Sequence, residues 1–238
     1  MFNVALKQIG DKFKIVVSPI YMEGRRSSLK RFTDTEDKLV NNISRARSKI
    51  FELAYCNYFN FFVTLTISPD HNRRDLNWAR TKTTQIIRDL RKKYDYPFNF
   101  ILIPEEHKDG SVHMHGLFDA SFLVDFYIND KGHWSWKSYD NIGFCNIQFL
   151  NELEYENACK YITKYIRKDI AKVGKGCHCY FRSNGLRSSE TLLSGICLDK
   201  VKEVGFDYEN DFCKVKEIEQ PDLVMYYNYI YDCIIEFY

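Results

Sequence analysis

No apolar run in this sequence of 238 residues approaches the length needed to span a bilayer. Met1 to Val17 carries no secretory pattern. A cytoplasmic location without a membrane partner is the expectation. Eight cysteines, at positions 56, 145, 159, 177, 179, 197, 213 and 233, include no Cys-x-x-Cys pair. Without a secretion signal they read as reduced thiols, not as a disulfide framework. Cys177-His178-Cys179 hints at zinc, but no second ligand pair with finger spacing follows it. No Gly-x-x-x-x-Gly-Lys-Ser/Thr loop occurs, so no nucleotide-driven motor is expected in this chain. Repeats, low-complexity tracts and an obvious linker are also missing. The expectation is one compact domain with short extensions.

Net charge is only +2, so global charge does not announce a polyanion-binding protein. Local charge says more. Arg25-Arg26, Lys30-Arg31 and the stretch from Arg45 to Lys49 form one basic region. Arg73-Arg74, Arg88, Arg91, Lys92 and Lys93 form a second. Lys160, Lys164, Arg167, Lys168, Lys172 and Lys175 form a third. Any one cluster can simply solvate a helix face. Rings are plentiful, with 17 Tyr and 18 Phe, enough for an aromatic core and a stacking surface.

The organising stretch runs from Glu106 to Phe118, Glu-His-Lys-Asp-Gly-Ser-Val-His-Met-His-Gly-Leu-Phe. Asp109-Gly110 predicts a tight hairpin turn. The strand after it, Val112 to Phe118, alternates its side chains. His113 and His115 therefore share one face, and Val112, Met114 and Phe118 point to the other. Two imidazoles about 7 Å apart along one strand face can converge on a metal ion. A third ligand can come from the partner strand, at Glu105 or Glu106. A two-residue turn sets Glu106 opposite His113, whereas a longer turn with a bulge restores Glu105. His107 is either a turn residue or a contact for a bound strand. A His-x-His pair also arises by chance, and two histidines on a wet strand face need no metal.

Around this stretch the pattern predicts a strand at Lys12 to Pro19 and a helix from Thr35 to Tyr55 with Thr33 or Asp34 as cap. Strands follow at Phe61 to Ile67, Phe98 to Ile103 and Ile142 to Phe149. A helix from Asp75 to Lys93 turns Leu76, Ile86, Ile87 and Leu90 inward. Residues 127 to 141 read as a hairpin tip, and Cys179 to Arg182 as a short strand. A strand pair is expected near Val201 to Phe206 and Phe212 to Val215. The segment after Pro221 is not assigned. This order suits an α+β fold, an antiparallel β-sheet with helices packed on one face.

A helix from Glu154 to Lys168 carries Tyr161-Ile-Thr-Lys164-Tyr165-Ile-Arg-Lys168. Residues four apart are helix neighbours, so Tyr161 and Tyr165 lie together, each with a lysine one turn on. Ala158, Ile162 and Ile166 form an apolar stripe. Tyr161 falls on its border with the basic stripe of Lys160, Lys164 and Lys168, and Tyr165 falls nearer the apolar side. Two core tyrosines would satisfy the same pattern. The chemical alternative is that a phenol attacks phosphorus. Its free pKa of about 10 makes it a weak nucleophile at neutral pH. A nearby ammonium favours the phenolate, and a divalent metal on the phosphate makes phosphorus more electrophilic.

The strand Phe62-Val-Thr-Leu-Thr-Ile67, the His113-Met-His115 strand and the Tyr-x-x-x-Tyr helix occur in the order of HUH endonucleases. The chain resembles rolling-circle replication initiators of small phages and plasmids with paired tyrosines, over about residues 58 to 186. The resemblance implies a ferredoxin- or RRM-like nicking domain at 58–186. Residues 1–57 are then an N-terminal accessory segment and helix, and 187–238 a C-terminal extension packed on the same domain. It implies Mg²⁺ or Mn²⁺ held by His113, His115 and Glu105, the last from the family's usual spacing, with Glu106 in reserve. It implies Tyr161 and Tyr165 as nucleophiles, Lys164 and Lys168 as their companions, and a 5′-phosphotyrosine intermediate. The implied partners are single-stranded DNA at a replication origin and a separate helicase and polymerase, inside a bacterial host cell. A non-catalytic nucleic-acid-binding module, or a transposase or relaxase with the same chemistry, is the alternative.

Overall fold

Two strands of alternating burial open the chain, β1 (Phe2–Ile9) and β2 (Lys12–Pro19). They are joined by Gly10-Asp11, with Gly10 in the left-handed region at φ 61°. The computed structural model describes residues 1–20, 35–166, 179–197, 204–209 and 213–235, and for residues 35–42 and 235 the backbone alone. Lys168, Cys177, His178 and the proposed caps Thr33 and Asp34 lie outside the described residues, as do Arg25, Arg26, Lys30 and Arg31. The chain divides into two compact units, Met1–Thr35 with Arg187–Tyr238, and Glu36–Leu186.

The second unit begins with helix α1 (Thr35–Cys56) and strand β3 (Phe61–Ile67). Helix α2 (Leu76–Tyr94) follows. Asp75 caps it by accepting from the backbone N–H of Asn77 and Trp78, and Arg91, Lys92 and Lys93 sit in its last turn. Both ends thus carry the charge that its dipole favours. Strands β4 (Phe100–Glu106) and β5 (Val112–Phe118) form the expected hairpin. A small ribbon of β6 (Phe126–Ile128) and β7 (Trp134–Trp136) forms the hairpin tip. Strand β8 (Gly143–Phe149), helix α3 (Glu152–Ile162) and the short β9 (Phe181–Arg182) complete the unit. The sheet order is β8-β3-β5-β4-β9, antiparallel throughout.

The α+β class is observed, but helices cover both faces of this sheet, not one. Ala79, Ile87 and Leu90 of α2 pack with Val63, Leu65, Leu102, Met114 and Phe118. Ile50, Leu53 and Ala54 of α1 and Ala158, Cys159 and Ile162 of α3 pack with Phe62, Ile101, Ile103 and Leu117. The physical reason lies in the strands. Phe61-Phe62-Val63 and Phe100-Ile101-Leu102-Ile103 are continuous apolar runs, and such strands need cover on both sides.

In the first unit β10 (Glu190–Cys197), β11 (Tyr208–Glu209) and β12 (Lys214–Ile218) join the opening hairpin in the order β10-β1-β2-β12-β11. Helix α4 (Leu223–Ile235) contributes Ile230, Cys233 and Ile234 to its core of Val4, Leu6, Ile15 and Val17. The expected boundaries differ from this grouping. Strand pairing assigns the C-terminal stretch to residues 2–19, and α1 shares a core with the central sheet. None of the described cysteines is in a disulfide.

Candidate active site

The site is built on the β4–β5 hairpin. The register pairs Glu105 with His113 and Glu106 with Val112. It follows from the turn. The His107 N–H donates to the Ser111 carbonyl at 2.9 Å, and the Gly110 N–H to the His107 carbonyl at 2.9 Å. Lys108, Asp109 and Gly110 form a three-residue loop, with Gly110 at φ +80°. This is the longer, bulged turn, and it places Glu105 on the histidine face. Asp109 braces the loop by accepting from the Ser111 N–H and hydroxyl, which hold its carboxyl down at about 2.

Strand alternation sets Glu105, His113 and His115 on one face, with Thr64 and Thr66 opposite the histidines on β3. His115 Nε2 lies 2.9 Å from Glu105 Oε2. Its Nδ1 lies 3.2 Å from the Thr64 hydroxyl, and His113 Nδ1 lies 3.3 Å from that of Thr66. Each threonine therefore fixes a ring and leaves Nε2 facing outward. A hydroxyl can donate or accept, so it serves either tautomer. It donates to Nδ1 when Nε2–H bonds to Glu105, and accepts Nδ1–H when the Nε2 lone pair is needed by an ion. Burial lowers the pKa of both His113 and His115, so both stay neutral at neutral pH, as metal ligands must.

Two adjacent donors of an octahedral ion, each at about 2.1 Å, lie about 3 Å apart. The His115–Glu105 separation of 2.9 Å already matches that. The third arm is turned away, because the His113 ring is stacked on His107 with centroids 3.8 Å apart. Accordingly, no three His, Cys, Asp or Glu side chains among the described residues form a ready metal cluster. Rotation of the His113 ring off His107 is the movement that a third ligand requires.

The tyrosines reach this face from α3. The helix ends at Ile162, earlier than expected, and a 3₁₀ turn over Thr163–Tyr165 follows. The Thr163 hydroxyl donates back to the Lys160 carbonyl at 2.7 Å. Arg47 of α1 donates to the Ile166 carbonyl at 3.1 and 2.9 Å. The tightened turn keeps the phenols together, because the Tyr165 hydroxyl donates to the Tyr161 hydroxyl at 2.9 Å. The Tyr165 ring is half-buried and lies flat on His115, with centroids 3.6 Å apart and planes within 10°. Burial and the bond to Tyr161 push its pKa up. Tyr161 is 46% exposed, and Lys164 Nζ lies 5.1 Å from the centre of its ring.

Two anchors had no sequence signal. Arg47, placed with the basic clusters, is tied to Ile166, 119 positions away. The buried Tyr155 hydroxyl donates to the Ala54 carbonyl at 2.7 Å and accepts from the Phe59 N–H at 3.1 Å, pinning α3 to the end of α1. Other basic residues are also engaged within the fold. Arg91 donates to the Phe98 carbonyl, Arg73 pairs with Asp109, and Lys160 pairs with Glu156.

No curated protein and no solved structure matches the chain. Residues 60–170, from β3 past the tyrosine turn, match the model of a family described as Replication-associated protein ORF2, consistent with a rolling-circle replication initiator.

Proposed function

We propose that this chain nicks and rejoins single-stranded DNA at a replication origin by tyrosine transesterification, leaving a 5′-phosphotyrosine link and a free 3′-hydroxyl. The observation that carries this reading is the stack of Tyr165 on His115, which brings a pair of phenols to an imidazole–carboxylate face. The family match over 60–170, which suggests a replication-associated protein, supports it. His113, His115 and Glu105 would hold the divalent ion, Mg²⁺ or Mn²⁺, a donor set suited to such ions. When bound, the ion draws charge from the phosphate oxygens and makes phosphorus more electrophilic.

Tyr161 is the first nucleophile on this reading. It is exposed, its oxygen accepts a hydrogen bond, and Lys164 lies over its ring, all of which favour the phenolate. Tyr165 keeps its proton, because burial raises its pKa. Tyr161 loses its proton to water, and its oxygen forms a bond to phosphorus as the bond from phosphorus to the 3′-oxygen breaks. The departing 3′-oxygen takes a proton from solvent. One phosphodiester replaces another, so an incoming 3′-hydroxyl reverses the step. Tyr165 then offers a second strand transfer without release of the DNA end. A separate helicase and polymerase complete the proposed setting.

The test is incubation with pooled single-stranded DNA and Mn²⁺, followed by a denaturing gel and mapping of the modified residue. Tyr161→Phe combined with Tyr165→Phe is expected to abolish the covalent adduct while DNA binding stays nearly intact. An adduct that survives the double substitution overturns the mechanism. Tyr161→Phe alone is expected to cost more first cleavage than Tyr165→Phe alone.

A further inference from the structure

Strand β8 is the edge of the central sheet, paired on one side only, with β3. Its register sets Phe144 opposite Thr66, Asn146 opposite Thr64 and Gln148 opposite Phe62. Thr66 and Thr64 in turn sit opposite His113 and His115. Phe144, Asn146 and Gln148 therefore lie on the sheet face that carries the imidazoles, two strands further out, and all three are exposed. An edge strand that shows a large ring and two amides on one face is not explained by packing. Phe144 is 60% exposed, whereas Ile147 on the opposite side of the strand is buried. Gln148 also lines an open groove of about 680 Å³ between β8 and α3. Phe62, Asn157, Tyr161 and Lys164 line the same groove. The exposed strip thus runs from beside the histidine strand to the exposed phenol.

Each group on this strip suits one part of an unpaired nucleotide. An exposed ring stacks any base, because every base has a π face. The amides of Gln and Asn offer a donor and an acceptor side by side, the pattern that reads a base edge. Lys164 at the groove supplies charge for a phosphate.

We propose that the outer strip of β8 is a base-reading track for single-stranded DNA. Phe144 stacks one base, and Asn146 and Gln148 read the edges of its neighbours, with Gln148 meeting the nucleotide beside the phosphate at Tyr161. The choice of DNA as occupant rests on the nicking reading above and on the continuity of the strip with that site. The track makes sequence choice a property of one edge strand, separable from the cleavage chemistry.

The test uses the full chain and a library of short single-stranded DNA in two arms. In the first arm, with Mn²⁺, the DNA joined covalently to the protein is sequenced. Gln148→Glu is expected to move the preference at one position next to the link toward cytosine, whose amino group a carboxylate accepts. Gln148→Ala is expected to flatten that one position. In the second arm, with EDTA, binding is followed by fluorescence anisotropy. Phe144→Ala is expected to weaken binding about tenfold or more, with little dependence on sequence. Gln148→Ala is expected to weaken only the preferred sequence, by about tenfold to a hundredfold. An unchanged preference in Gln148→Glu, in a protein that still forms the adduct, overturns the track and leaves the nicking reading standing. Failure of the unmodified protein to form any adduct overturns the nicking reading, and the EDTA arm then decides the track by itself. There, a base-specific loss in Gln148→Ala supports the track, and unchanged binding overturns it.

Discussion

At the scale of single residues, the site depends on what stands behind each imidazole. Thr64 and Thr66 hold the inner nitrogens of His115 and His113 through hydroxyls at 3.2 and 3.3 Å. Replacing Thr64 by Val keeps the branched shape that a strand prefers and removes only the hydroxyl. Mn²⁺ affinity is expected to fall about tenfold to a hundredfold, read by titration calorimetry. An unchanged affinity would show that Thr64 does not orient the ring. The ligands and phenols were legible in the sequence because their chemistry follows local spacing. A period of two puts His113 and His115 on one face, and a spacing of four puts Tyr161 beside Tyr165. The anchors were not legible. Arg47 looks like any helix-face cation until Ile166 is brought to it, and Tyr155 looks like any core ring until the Ala54 carbonyl arrives.

At the scale of elements, the register of the β4–β5 hairpin decides which carboxylate faces the histidines. The sequence reading left Glu105 and Glu106 both open, since two turn lengths fit the same Asp-Gly. The three-residue loop, with Gly110 at positive φ, selects Glu105. The same hairpin allows no added volume at Gly116. A Cβ there would sit 2.9 Å from the Ile101 carbonyl and 2.7 Å from Leu102, both on β4. Gly116→Ala is expected to destabilise the protein by about 1–3 kcal/mol in urea unfolding, as overpacking does. It should also weaken Mn²⁺ binding, because it pushes apart the two strands that hold Glu105 and His115. Full stability in the alanine variant would mean that the strands accommodate the methyl group freely. The end of α3 was misread for a related reason. Ala158, Ile162 and Ile166 continue the helical stripe on paper, but Thr163 and the Arg47–Ile166 bonds draw the last turn tight.

At the scale of the molecule, the proposed ligands all lie in the unit Glu36–Leu186. So do all three tryptophans, Trp78, Trp134 and Trp136. Tryptophan fluorescence is thus a private report on that unit. An ion that binds only the folded state stabilises it by about 2.7 kcal/mol at a hundred times its dissociation constant. Mn²⁺ is expected to raise the unfolding temperature followed by tryptophan emission, and Glu105→Ala to remove that rise. An equal rise in the Glu105→Ala variant would place the ion elsewhere. The two-unit division itself was hard to foresee, because β1 and β12 stand more than two hundred positions apart and neither carries a distinctive motif.

The hydroxyl-to-hydroxyl bond from Tyr165 to Tyr161 also sets a rule of precedence. An esterified oxygen is a poorer acceptor than a free phenol, so loading Tyr161 with DNA unties its neighbour. Under the nicking chemistry, one copy of the polypeptide would make its two cuts in turn, and the severed end would stay leashed to it throughout the exchange.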